Sequence, residues 1–107
     1  MEKIVEQIAK EYKAALQELY GNDLAELVLF GSYARGDQHD ESDVDFAVVF
    51  CDNHPRTLED KMKISSLGAY LSLKYGLMVS SLSVLLNKKQ TSMQGVYQEI
   101  RKEGIAI

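Results

Sequence analysis

Apolar residues along this chain follow two different spacings. Over Lys3–Tyr20, the residues Ile4, Ile8, Tyr12, Ala15, Leu16 and Leu19 recur at helical intervals among Glu, Lys and Gln, which predicts an amphipathic helix packed by its stripe on a sheet. Gly21-Asn22 ends it, where a left-handed cap is easy. Leu24–Phe30 and Val44–Phe50 are near-continuous apolar runs and predict two buried strands. Asp52-Asn53-His54-Pro55 reads as a turn, and Thr57 with Asp60 three residues later reads as a weak form of capping box. The helix it opens runs to about Tyr75, with Leu58, Met62, Leu67, Ala69, Leu71 and Leu73 on its apolar side, and Gly76 stops it. Residues 77–86 predict a third strand and residues 87–90 a polar link. Ser92 is positioned to cap a last helix with Met93, Val96, Tyr97 and Ile100 apolar and Gly104 at its end. Ile105-Ala106-Ile107 either lies on the body as a tail or adds an edge strand. The expected class is α/β (α+β), a small mixed β-sheet flanked by helices, in one domain spanning residues 1–107.

Composition changes this picture only by exclusion. The net charge of −4 argues against a generic nucleic-acid-binding surface, though a local basic patch is compatible with it. No apolar run approaches the ~20 residues of a membrane span, and Glu2-Lys3 does not open a signal-like segment, so a cytoplasmic setting without membrane attachment is expected. Cys51 is the single cysteine, which excludes an intrachain disulfide and reads as a small half-buried side chain. His39 and His54 fall in expected loops and read as surface residues, His39 lying close enough to the polar segment described next to touch a substrate.

The chemistry concentrates in residues 31–45, between the two apolar runs, where loops at the end of a sheet carry function. Gly31 lets backbone approach a ligand, and Ser32 can offer a hydroxyl and the start of a short helix to a phosphate. Arg35 can reach the same phosphates or pair with a neighbouring carboxylate. Asp43 and Asp45 are two apart, so both point to one face, about 6.5 Å from each other along an extended chain. Two carboxylates aimed at one point repel each other unless a cation lies between them, and an oxygen-only donor set favours Mg²⁺ with substrate phosphates and water. Ala47 and Val49 continue the face of the aspartates, and a nucleotide lying over that small apolar surface is expected. Taken singly, a Gly-Ser turn or an acidic loop is ordinary surface; an aspartate pair entering a strand of Val, Phe and Ala is harder to explain by folding alone.

Gly31-Ser32, ten residues, then Asp43-Val44-Asp45, with Ala34-Arg35-Gly36 inside and Ser42 before the first aspartate, resembles the signature of the DNA polymerase beta-type nucleotidyltransferase superfamily. More closely, it resembles the minimal nucleotidyltransferases, the MNT partners of HEPN–MNT toxin–antitoxin pairs. The likeness extends through the order of strands and helices to Arg101-Lys102-Glu103-Gly104-Ile105. It implies the nucleotidyltransferase fold, with Asp43 and Asp45 as catalytic metal ligands and Gly31, Ser32 and Arg35 at the nucleotide. It also implies Mg²⁺ as cofactor, ATP as donor of AMP, and an all-helical HEPN ribonuclease as the partner whose tyrosine is modified. A homo-oligomer is left open.

The chain departs from the pattern at one place. Enzymes of the superfamily usually carry a third carboxylate on the strand beside the Asp-x-Asp strand, whereas the matching segment here offers Ser80, Ser81 and Ser83. Alignment on Tyr75-Gly76 places the missing acid at Ser80, with Ser81 as the alternative. A neutral serine removes one charge from a two-metal site and one candidate base. Transfer could be slow, could rely on Asp37, Asp40 or Glu41, or could be lost, leaving a module that neutralises its partner by binding. A transferase acting on a small molecule is the third alternative. The resemblance also implies an acceptor site completed by a partner, since larger members carry a helical domain for it.

Overall fold

A computed structural model describes residues 1–107. The chain runs α1 (Lys3–Tyr20), a single 3-10 turn at Gly21–Asp23, β1 (Leu24–Phe30), α2 (Ser32–Arg35), β2 (Val44–Phe50), α3 (Leu58–Tyr75), β3 (Val79–Leu85), α4 (Leu86–Thr91), α5 (Gly95–Glu103) and β4 (Ile105–Ala106). The four strands form one mixed sheet in the order β3-β2-β1-β4, with β1 antiparallel to β2 and β4, and β2 parallel to β3. The tail thus takes the second of its two expected fates and covers the far edge of β1. No helix is long and apolar enough to cross a membrane.

Helices on both faces explain why the central strands are apolar without alternation. Leu27 and Leu29 of β1 and Val44, Phe46, Val48 and Phe50 of β2 face the larger core, which α1 and α3 close. Val28, Ala47 and Val49 face the other way and are sealed with Val84 by Ile100 of α5. That second layer corrects an expectation: Ala47 and Val49 are fully buried under α5, so no nucleotide can lie over them. Only the Asp45 end of that face stays open.

The helices form where expected, and their buried stripes differ. α1 buries Val5, Ile8, Ala9, Tyr12 and Leu16, while Ile4 and Leu19 remain exposed. The stripe keeps Ile8, Tyr12 and Leu16 and turns toward Val5 and Ala9; within it Tyr12 packs edge-on against Phe46, 5.3 Å between ring centres, and shares a 2.6 Å hydrogen bond with Ser81. Burial holds the Tyr12 phenol up at about 12, against a partial lowering by Ser81. α3 starts on the expected capping box, with the Asp60 amide donating to Thr57 Oγ1 and the Thr57 amide to Asp60 Oδ2. It ends at Gly76, whose φ of +73° is the left-handed cap. Only Ile64, Gly68 and Leu71 of α3 are buried; Leu58, Met62 and Leu73, expected in the core, are exposed.

Two loops also read differently. Gly21 has positive φ but an extended ψ of −125°, and the chain enters a 3-10 turn rather than a left-handed cap. Residues 87–90, expected as a link, are inside α4, and α5 begins at Gly95 on Gln94 with Ser92 closing α4 instead. His54 is not a surface residue. Its ring stacks on Phe50 at 4.4 Å and its two nitrogens meet Asp23 at 2.9 Å and Asp60 at 3.0 Å, with 9% of the side chain exposed.

Candidate active site

The C-terminal end of β1 and the N-terminal ends of β2 and β3 meet at one rim of the sheet, because β1 runs against the other two. Gly31 leaves β1 with φ +78° and ψ −159°, a conformation that L side chains rarely adopt. A Cβ built on Gly31 would collide with Oδ2 of Asp45. The turn and the carboxylate are therefore in direct apposition, and glycine is required there both by backbone angle and by space.

Gly31 is followed at once by α2. Its carbonyl accepts from the amides of Ala34 and Arg35, and that of Ser32 accepts from Gly36 and Asp37. The amides of Ser32 and Tyr33 precede the first of these bonds, so this single turn leaves N–H groups unpaired within the helix next to Gly31, the residue that abuts the acid. Tyr33 buries its ring in the larger core and pins the turn to the body. The short helix start expected from Gly31-Ser32 is thus present.

Arg35 takes the second of its two expected roles. Its guanidinium donates to Asp37 at 3.1 Å and to Glu99 and Glu103 of α5 at 3.0 Å each, and the bonds to Asp37 and then Glu103 strengthen its hold on the proton. It ties α2 to α5, and Asp37 is engaged with it. Glu99 and Glu103, one turn apart on α5, are the site residues that the sequence reading missed. Their four-residue spacing beside Arg101 and Lys102 looks like an ordinary solvated helix face, and nothing local points them at Arg35.

The two aspartates are unequal. Asp45 lies inside β2, half-buried, paired across the sheet with Phe30 on one side and Ser80 on the other. Asp43 lies just before the strand and is exposed. Burial, then the charges of Asp43 and Glu99, hold the Asp45 carboxyl above the usual carboxylate range, and Arg35 only partly offsets them. Ser80 stands in register with Asp45 on the parallel neighbour, hence on the same face, where a third carboxylate would complete the set. Ser81 points to the opposite face, where Tyr12 holds its hydroxyl. Of the loop acids, Asp40 and Glu41 are exposed. His39 is also exposed and is spent on the loop itself, its Nδ1 accepting from the Glu41 amide at 3.2 Å.

No group of three or more His, Cys, Asp or Glu side chains is close enough to hold a metal ion alone. The donors nevertheless fit Mg²⁺. That ion uses one or two carboxylates and completes its octahedron with phosphate oxygens and water, and the uncompensated negative charge around Asp45 is what such a cation would neutralise. Asp43 and Asp45 are the carboxylates that would hold such an ion.

Comparison with known proteins agrees with this geometry. The nucleotidyltransferase domain family matches residues 9–107. A Methanocaldococcus jannaschii protein, MJ0141, provisionally classed as a protein adenylyltransferase, is 33% identical over 94% of this chain and 96% of its own length. Protein adenylyltransferase MntA of Thermococcus cleftensis is 29% identical over 96% of this chain and 92% of its own. Among solved structures, a toxin–antitoxin complex crystallised with AMP-PNP superimposes with a TM-score of 0.62 at 21% identity, over 91% of this chain and 70% of that one, and so shares the fold. The match of the domain model to residues 9–107, with MJ0141 similar along nearly the whole of both chains, makes this chain a member of the nucleotidyltransferase domain family, grouped with the protein adenylyltransferases.

Proposed function

We propose that this nucleotidyltransferase moves AMP from ATP, with Mg²⁺, onto a hydroxyl of a partner protein, as the antitoxin of a HEPN–MNT pair. The observation that carries the reading is the apposition of Gly31 and Asp45, which gives phosphate and metal one meeting point. Gly31 and Ser32 hold the β and γ phosphates through backbone N–H and hydroxyl, while Asp43 and Asp45 hold the metal. Bound Mg²⁺ supplies charge neutralisation at the triphosphate. Arg35 fixes α2 against α5 and so steadies the Gly31 turn that faces Asp45.

The acceptor oxygen forms a bond to the α-phosphorus, the bridge between α and β phosphates breaks, and pyrophosphate leaves. With Ser80 in place of a carboxylate, no third acid takes the hydroxyl proton, which passes to solvent. ATP as donor is in keeping with the cytoplasmic setting expected from the sequence. The names of the relatives support protein as acceptor, and the toxin–antitoxin neighbours support a toxin as that protein.

Purified chain incubated with α-labelled ATP, Mg²⁺ and a HEPN protein encoded beside it should label that protein, and Asp43→Ala or Asp45→Ala should abolish the label. A second reading, neutralisation by binding alone, is favoured by Ser80 opposite Asp45. A stable complex with no label at any Mg²⁺ concentration would select it.

A further inference from the structure

β3 is an edge strand, and α3 leaves a groove of about 1230 Å³ along it. The Val44 amide donates to the Met78 carbonyl, which fixes the alternation of the parallel ladder. Residues 80, 82 and 84 turn their backbone groups to β2, and residues 79, 81 and 83 turn theirs outward into the groove. Two outward groups are already occupied: the Val79 amide donates to Ser72 Oγ at 2.9 Å, and the Ser83 carbonyl accepts from Arg56 at 3.2 Å. Between them the Ser81 backbone presents both its N–H and its C=O to the groove, the minimum unit by which an extended chain adds to a sheet.

The groove's chemistry selects the occupant. Met78, Leu82, Leu73 and Leu58 are exposed along it, so the added chain has apolar surface to cover. Its charges are Arg56 and Lys61, neither in an ion pair, whereas its one acid, Asp60, is bound by His54. In a chain of net charge −4 this is a local positive strip, and a second copy would bring the same cations face to face. At its other end the groove reaches Ser80, which stands beside Asp45.

We infer that the α3/β3 groove is the acceptor site: it takes an extended, acidic segment of the partner protein, pairs it with Ser81, and delivers its hydroxyl past Ser80 to the nucleotide at Asp45. This rests on the transfer reaction proposed above. It adds the place, the direction and the charge of the acceptor.

The test uses random copolymers of Glu with Tyr and of Lys with Tyr, as extended acceptors of opposite charge. The whole chain should bind the acidic polymer by fluorescence anisotropy and transfer label to it from α-labelled ATP. It should leave the basic polymer at least 10-fold less labelled. Lys61→Glu and Arg56→Glu, both exposed, should weaken binding of the acidic polymer about 10-fold and reverse the preference, with Mg²⁺·ATP uptake by calorimetry unchanged. Met78→Ser, which adds no charge, should lower labelling of the acidic polymer through lost apolar cover. Equal labelling of both polymers, or no effect of the charge reversals on binding, would overturn the inference. So would sedimentation showing dimers that the same reversals dissociate, which would make the groove an interface between copies. The anisotropy measurement needs no ATP, so loss of Mg²⁺·ATP uptake would sink the transfer reading while the groove is still judged on polymer binding.

Discussion

Oδ2 of Asp45 occupies the space in which Gly31 would carry a Cβ. One residue supplies the turn that presents phosphate-binding groups and the other supplies the charge that must face them, and neither can be altered without moving the other. Gly31→Ala combines a left-handed backbone angle with a clash against a charged oxygen. It should cost on the order of 2–4 kcal/mol and remove ATP uptake together with stability, as measured by urea unfolding.

Asp45 separates stability from function. Its carboxyl is held above its ordinary range by burial and by the charges of Asp43 and Glu99, so the folded state binds that proton more tightly than the unfolded chain. The contribution to stability is complete below the unfolded value near 3.8 and is lost as pH rises through the folded value. At neutral pH the ionised Asp45 therefore opposes folding. Asp45→Asn should raise Tm at pH 7, the gain should shrink in acid, and transfer should vanish. Lower stability of Asp45→Asn at pH 7 would contradict this.

His54 tests the opposite sign. The Asp60 carboxyl is pushed up by burial, but the Thr57 amide and His54, which bond it, together with the nearby Tyr20 and Thr57 hydroxyls, outweigh this and leave it below its ordinary value. Its stabilisation is present above about pH 3.8 and is lost as pH falls through the folded value. His54→Ala removes one of those bonds, the bond to Asp23 and the stack on Phe50. A loss of roughly 2–3 kcal/mol is expected at pH 7, smaller at pH 3, by thermal unfolding with circular dichroism.

How much of this was legible depends on whether the signal was local. β1 and β2 were readable to the residue because strands buried on both faces leave unbroken apolar runs, and the capping box and Gly76 marked the ends of α3. The stripe of α1 was legible at Ile8, Tyr12 and Leu16 but not at Val5 and Ala9, because which flank of an amphipathic helix is buried depends on the sheet it meets and not on its own spacing. α4 was missed because Asn87-Lys88-Lys89-Gln90 has no apolar period, and its first turn is held from outside: the Asn87 amide donates to Asp52 at 2.8 Å. Leu58, Met62 and Leu73 carried a core-like pattern and line open surface instead, and His54 was read from its loop rather than from Asp23 and Asp60. At the site, Gly31, Ser32, Asp43 and Asp45 were visible as a motif, while Glu99 and Glu103 became visible only through Arg35.

Ser80 offers a gain-of-function test. It is exposed and in register with Asp45, so Ser80→Asp should fold and restore the third carboxylate. Transfer at millimolar Mg²⁺ should rise by about 10-fold, measured as initial rate of label incorporation, and the Mg²⁺ dependence should become steeper. An unchanged rate would mean that the missing acid does not limit the reaction.

Isothermal titration of ATP into the wild-type chain, with and without Mg²⁺, bears most directly on the meeting of phosphate and metal at this rim. Uptake of one ATP is expected only when Mg²⁺ is present, weakened at least 10-fold in Asp45→Asn and in Asp43→Asn. ATP bound equally well in EDTA, or equally well by both variants, would contradict it.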